Sequence, residues 1–437
     1  MDRSQITDAC RGAASTRLSG AKAQRVMQRQ VAGYGVLLID VALLYDILAA
    51  LGESYMRRAV MAFVACAAGG FLSTAARADD WAICKDQNAT PGSAIAACTR
   101  VINAKKVNAA DLAIAYYNRG ISFRQKNDND AALADYNEAI RISPKYAKAY
   151  NNRGNVWRDK RDFDRAIADY DEAIRLDHRF ALAYANRGDV WDDKGDSARA
   201  LADLDQSIRL DPEYARAYNV RGVVWKNKGD LDRAFADFSN AIRKDPKYAM
   251  AYANRGDVWD DKGDQDRAIA DLTEAIRLSP NYARAYNIRG VIHRRRNDFE
   301  RAIADYGEAL RADPKYTLAY INRGNTYKDR GDQDRAIADY GEALRINPKS
   351  DVAYMRRSEA WLKKGDNIAA LRDADQAVNL DPKDAGNYTV RAAVLRALNR
   401  NDDAIADLRK ALSLNPSASR RGEIEKALEA LGGTGPR

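Results

Sequence analysis

The chain has 437 residues, with 71 Lys and Arg against 62 Asp and Glu and a formal net charge of +9. The two signs are interleaved along the chain, which is the pattern of a solvated helical surface and argues against a nucleic-acid footprint. Only two histidines occur, His178 and His293, which removes the usual starting points for acid–base and metal catalysis and leaves no cofactor or metal site to expect.

The first organised feature runs from Met56. Arg57 and Arg58 form a short basic region, residues 59–72 are apolar, and Ala76-Arg77-Ala78 offers small residues where a signal peptidase reads. The three parts together predict a secretory signal peptide over 56–78, and hence a periplasmic or secreted protein. Residues 1–55 then read as an extension ahead of the true start. The alternative is a membrane segment at 31–51, although Asp40 and Asp46 interrupt it at a cost of a few kcal/mol each. Membrane attachment is expected only if that segment or a lipidated Cys66 provides it, and the alternative function is then that of an envelope-assembly or secretion adaptor. Removal of the leader leaves one cysteine pair, Cys84 and Cys98, within a cap at 79–112. An even pair in an exported chain reads as a disulfide.

From residue 113 to residue 418 the sequence repeats every 34 residues without insertion or deletion. Pro144, Pro212, Pro246, Pro280, Pro314, Pro348, Pro382 and Pro416 mark the register, with His178 in the one missing slot. Tyr116, Tyr150 and Tyr184 begin one series of tyrosines, and Ala132, Ala166 and Ala200 begin one of alanines. Each unit reads as two helices, A and B, joined by a turn such as Gly263-Asp264, with turn glycines at Gly195, Gly229, Gly331 and Gly365. Proline after helix B stops it. Gly256 and Ala268 remove side chain where A and B cross, and Trp259, like Trp157, Trp191, Trp225 and Trp361, is expected to fill the core beside them. Residues 419–431 read as a polar capping helix, followed by a short tail to 437.

This pattern resembles the tetratricopeptide repeat, with Tyr252, Gly256, Ala268, Ala275 and Pro280 at the places the family keeps. The resemblance implies an all-α, right-handed superhelical solenoid of antiparallel helix pairs with helical caps, and nine such pairs over 113–418. It also implies partners held on the concave surface that the A helices line, so the chain is expected to bind protein or peptide and not to be an enzyme.

One position departs from the family. Position seven of every repeat is Arg, from Arg119 to Arg391, and helix B carries a matching Asp sixteen residues on, from Asp135 to Asp407. Nine cations facing nine anions predict a ladder of ion pairs and not a row of arginines open to a ligand.

Asparagine recurs one residue before that Arg, at Asn118, Asn152, Asn186, Asn254 and Asn322, with Asn219 and Asn287 beside two breaks in the series. The series resembles the asparagine ladder of the O-GlcNAc transferase repeats, whose amides can pair with a peptide backbone whatever its sequence. The two-carboxylate clamp that holds chaperone tails is incomplete. Asn155, Asn186 and Arg216 fit it, but Asn151 and Val220 stand where Lys and Arg are needed. Charge alternates instead, acidic at Asp189 and Asp257 and basic at Arg216 and Arg284, which suits an extended partner of alternating charge.

Overall fold

The computed structural model describes residues 79–432. The predicted signal peptide, the segment 31–51 and Cys66 lie outside the described residues. Within them every regular element is helical, and they form two compact units, one ending at His178 and the other beginning at Arg179.

The first unit opens with helical residues 79–85, followed by α1 (Pro91–Ala104), α2 (Ala109–Gln125), α3 (Asn129–Ile142), α4 (Ala147–Asp159) and α5 (Phe163–Leu176). Helix α1 starts where Thr90 accepts from the Ser93 amide and Pro91 takes the first position, whose N–H has no intrahelical partner in any case. Cys84 and Cys98 are bonded, with Cα atoms 4.8 Å apart, inside the range a disulfide needs. The bridge fastens residues 79–85 to α1, with Trp81 and Ile83 packed on the same apolar cluster.

The second unit continues the pairing: α6 (Ala181–Asp193), α7 (Ser197–Leu210), α8 (Ala215–Asn227), α9 (Leu231–Lys244), α10 (Ala249–Asp261), α11 (Gln265–Leu278), α12 (Ala283–Arg295), α13 (Phe299–Ala312), α14 (Thr317–Asp329), α15 (Gln333–Ile346), α16 (Asp351–Lys364), α17 (Asn367–Leu380), α18 (Ala385–Ala397) and α19 (Asn401–Ser413), closed by α20 (Ala418–Ala430). The first unit holds two antiparallel helix pairs and the second seven, nine among the described residues, and each unit is a solenoid-like stack in which each B helix also packs on the next A helix of that unit.

Local chemistry sets the boundaries. Gly195, Gly229, Gly263, Gly331 and Gly365 all adopt positive φ after helix A; Arg161 and Asn297 make the same turn without glycine. The next residue, Asp in most repeats, caps helix B: Asp162, Asp230 and Asp264 accept from the amides of Arg165, Arg233 and Arg267 at 2.9 to 3.1 Å.

The helix crossing is filled from helix B, and Trp157, Trp191, Trp225 and Trp259 pack on the core beside it. A Cβ on Gly154 would lie 2.7 Å from Tyr170 Cε1, and one on Gly256 would lie 3.0 Å from Leu272 Cγ. The residue that fills the space left by glycine is therefore on helix B, at the place of Tyr136, Tyr170, Leu204, Phe238, Leu272, Tyr306 and Tyr340, all fully buried. The tryptophans are only partly buried. An arginine from helix B lies over the ring in four of them, Arg165 over Trp157 at 3.8 Å and Arg199 over Trp191 at 3.6 Å among them. The reason is angular: Trp stands three residues beyond the glycine, so it lies beside the crossing and not in it.

Candidate functional site

The nine position-seven arginines all meet their aspartates. Each guanidinium donates through Nε and Nη2 to both carboxylate oxygens, for example Arg153 to Asp169 at 2.8 and 2.6 Å and Arg323 to Asp339 at 2.8 and 2.7 Å. The aspartates are buried throughout. The tyrosine three residues before each arginine lies beside the guanidinium, with ring centroids 5.4 Å away for Tyr150 and 5.7 Å for Tyr320. Burial pushes the carboxyls of Asp169 and Asp339 up, against the lowering pull of their arginines. These arginines bind helix A to helix B and are not available to a partner.

A second set of rungs, absent from the sequence reading, joins neighbouring repeats. Lys160 reaches Asp130 at 2.8 Å, Arg296 reaches Asp266 at 2.8 Å and Arg330 reaches Glu300 at 2.5 Å, each thirty residues apart. The recurring offset was the available signal. These pairs are exposed and contribute little individually.

The asparagine series is not an open row. Asn186, Asn219, Asn254 and Asn287 are 1 to 4% exposed. Asn254 Nδ2 donates to Asn219 Oδ1 at 2.9 Å, and Asn322 Nδ2 to Asn287 Oδ1 at 3.0 Å. Asn152 donates to the Tyr117 hydroxyl at 3.0 Å, and Asn118 donates to the Cys84 carbonyl at 3.0 Å, which ties the disulfide cap to the first repeat. Asn155 accepts from the Tyr170 hydroxyl at 2.8 Å. Adjacent A helices stand close enough for one amide to satisfy the next, so these side chains set the spacing of the helices. Asn118, Asn152, Asn155 and Asn322 are half-buried, and Asn152 also lines an open cleft of ≈390 Å³ with Arg124, Tyr136 and Asp159.

The alternating charges also pair among themselves. Arg216 donates to Asn186 Oδ1 at 2.7 Å and to Asp189 Oδ2 at 3.0 Å; Arg284 repeats this with Asn254 at 2.6 Å and Asp257 at 3.1 Å. Lys226 closes on Asp257 at 2.5 Å and Asp261 at 3.2 Å. Beside Arg216 and Tyr214, burial pushes the Tyr248 phenol up to about 12.

Arg216 and Arg284 hold the second position of their repeats. The same position carries Met250, Leu318 and Val352, which are 45, 48 and 40% exposed. Met250 lies at the same place as the arginines, since its Sδ accepts from Asn219 Nδ2 at 3.7 Å as Asn186 and Asn254 take the arginine donors. The sequence reading missed these apolar residues, whose signal was the 34-residue spacing that runs through Arg216, Met250, Arg284 and Leu318. Among the described residues no cluster of three or more His, Cys, Asp or Glu could hold a metal ion, and no helix is long and apolar enough to cross a membrane.

Repeat models recognise the same units. One described as a TPR repeat matches residues 120–157, and tetratricopeptide-repeat models match 147–180, 186–249, 227–283, 254–317, 317–350 and 385–417. These matches span more than half of the sequence, and the chain belongs to the tetratricopeptide-repeat family, whose members are typically non-catalytic and bind proteins or peptides.

Among solved structures it is similar to a tetratricopeptide repeat protein from Parabacteroides merdae, at 20% identity over 56% of this chain and 97% of that one, with a TM-score of 0.45. Yeast Tom70 is similar at 14% identity over 78% of this chain and 92% of that one, with a TM-score of 0.45. PilF of Pseudomonas aeruginosa is similar at 18% identity over 49% and 98%, with a TM-score of 0.44. No curated protein matches the chain.

Proposed function

We propose that this protein is a non-catalytic scaffold that holds an extended protein segment along the A-helix face of its second unit. The observation that carries this reading is the row at the second repeat position: Met250, Leu318 and Val352, large and exposed, interleaved with Arg216 and Arg284. Exposed apolar side chains in register along one face mark an interaction surface, and the charges between them orient a partner. The asparagines act behind this surface by fixing the spacing of the helices that present it.

We place the protein outside the cytoplasm. The support is the signal-like sequence at 56–78 and the Cys84–Cys98 bridge, a bond typical of oxidising compartments. Photo-crosslinking tests the surface. A benzoylphenylalanine in place of Leu318 should trap a partner segment in envelope extracts, and one in place of the exposed Asp266 on helix B should not. Equal trapping at both positions overturns the assignment.

A further inference from the structure

Repeats three and four are duplicated in repeats five and six, and one difference between the copies points to a site. The A helices of repeats three and five are identical from Ala183 and Ala251 to Asp193 and Asp261. In the second copy Asp260, with its side chain 8% exposed, is capped by the Arg295 guanidinium from the next A helix, which donates through Nη2 to Oδ2. In the first copy the matching carboxylate is Asp192, and the residue standing where Arg295 stands is Asn227. Asn227 Nδ2 donates to Asp192 Oδ2 at 3.1 Å and brings no charge.

One further contact repeats, although Trp225, Lys226 and Lys228 of the next A helix stand where His293, Arg294 and Arg296 do. Arg216 on Asp189 repeats as Arg284 on Asp257. Asp192 is half-buried and Asn227 exposed, so the place is open from outside. Burial, with Asp193 and Asp189 close by, pushes the Asp192 carboxyl up. A carboxylate that is partly desolvated and lacks a cation binds one more strongly than a surface group does.

We infer that Asp192 and Asn227 form a socket for an arginine side chain of the bound partner, which takes the place that Arg295 occupies in the duplicate. The socket is built for a guanidinium, because its twin, an aspartate on an identical stretch of A helix, holds one. The inference rests on the proposed partner-binding face. The probe below needs no partner, so failure of the socket and failure of that face are distinguishable.

The test uses the full chain labelled with fluorotryptophan, whose ¹⁹F signals report Trp191 beside Asp192 and Trp259 beside Asp260. N-acetyl-arginine amide should shift the Trp191 signal saturably and leave Trp259 unmoved. N227R places the residue of the duplicate in the socket and should abolish the shift; R295N should open the second socket, so that Trp259 responds as well. Circular dichroism checks that both variants stay folded. The citrulline analogue should bind about tenfold more weakly or worse, because it keeps the shape and loses the charge. An unmoved Trp191 signal in the wild type, an equal shift in N227R, or equal binding by the citrulline or lysine amide would overturn the proposal.

Discussion

Removing Arg323 tests whether the position-seven ladder holds the repeat together. Its side chain is 23% exposed, and its guanidinium bonds both oxygens of Asp339, whose side chain is 9% exposed. Truncation to Ala leaves that carboxylate buried without its cation. Breaking a fully buried pair costs about 3–5 kcal/mol, so a pair that is partly wet should lose about 2–4 kcal/mol. R323L/D339L, which removes both charges and keeps apolar volume, should recover to within about 1 kcal/mol of wild type. Hydrogen exchange is the assay, because a repeat array opens locally and a single unfolding midpoint averages over it. Protection of α14 and α15 should fall by more than about tenfold in R323A, at roughly 1.4 kcal/mol per factor of ten.

The pH dependence has a sign. Burial already holds the Asp339 carboxyl above its ordinary value, and Arg323 opposes that shift. Without Arg323 the folded variant keeps a proton that the unfolded chain releases, so its deficit should shrink as pH falls from neutral toward the ordinary carboxylate range near about 4. Unchanged protection in R323A, or a double variant as damaged as the single, would refute the reasoning.

Two glycine changes separate the crossing from the turn. G154A drives a Cβ to 2.7 Å from Tyr170 and should lose about 1–2 kcal/mol despite better helix propensity, while G195A meets nothing but sits at φ 82° and should lose about 1 kcal/mol; urea unfolding compares them. His293 stands in the place of tryptophan, and burial pulls its imidazole below the ordinary value, with Asp305 3.8 Å away. The unfolded chain therefore binds the extra proton first, and stability should drop as pH falls below about 6.5; H293W should remove that step from a series of melting temperatures, and identical pH slopes would contradict the assignment. Opening the Cys84–Cys98 bridge by C84S/C98S should cost the cap about 3 kcal/mol from the loop it closes, read as faster exchange in α1 with α18 unaffected.

The helix pairs were legible because their determinants are steric and recur at fixed positions. A glycine faces a bulky residue, an alanine faces backbone, and a turn needs positive φ, each every 34 residues. The Arg–Asp ladder was legible for the same reason, since the sixteen-residue offset never varies. What could not be read was anything set by the distance between repeats. Asn186 and Asn254 look like solvent-facing amides in one dimension, and only the packing of adjacent A helices shows that Arg216 and Arg284 occupy them. Trp259 packs beside the crossing as its spacing from Gly256 suggests, but that Leu272, sixteen residues beyond that glycine, fills the crossing shows only when helix B is laid against helix A. Met250 and Leu318 were passed over because a single apolar residue on a charged helix is unremarkable until its neighbours in the next repeats are seen beside it.

The central claim is that the second-position row binds an extended segment. The most direct measurement is calorimetry of the segment trapped by crosslinking at position 318, made as a synthetic peptide and titrated into wild type and into M250D/L318D/V352D. Exposed side chains add little to the fold, so circular dichroism should show unchanged helicity. Each buried apolar contact is worth about 1–2 kcal/mol, so affinity should fall by at least about a hundredfold. Unchanged affinity with helicity intact would contradict the account and move the binding surface away from the A helices.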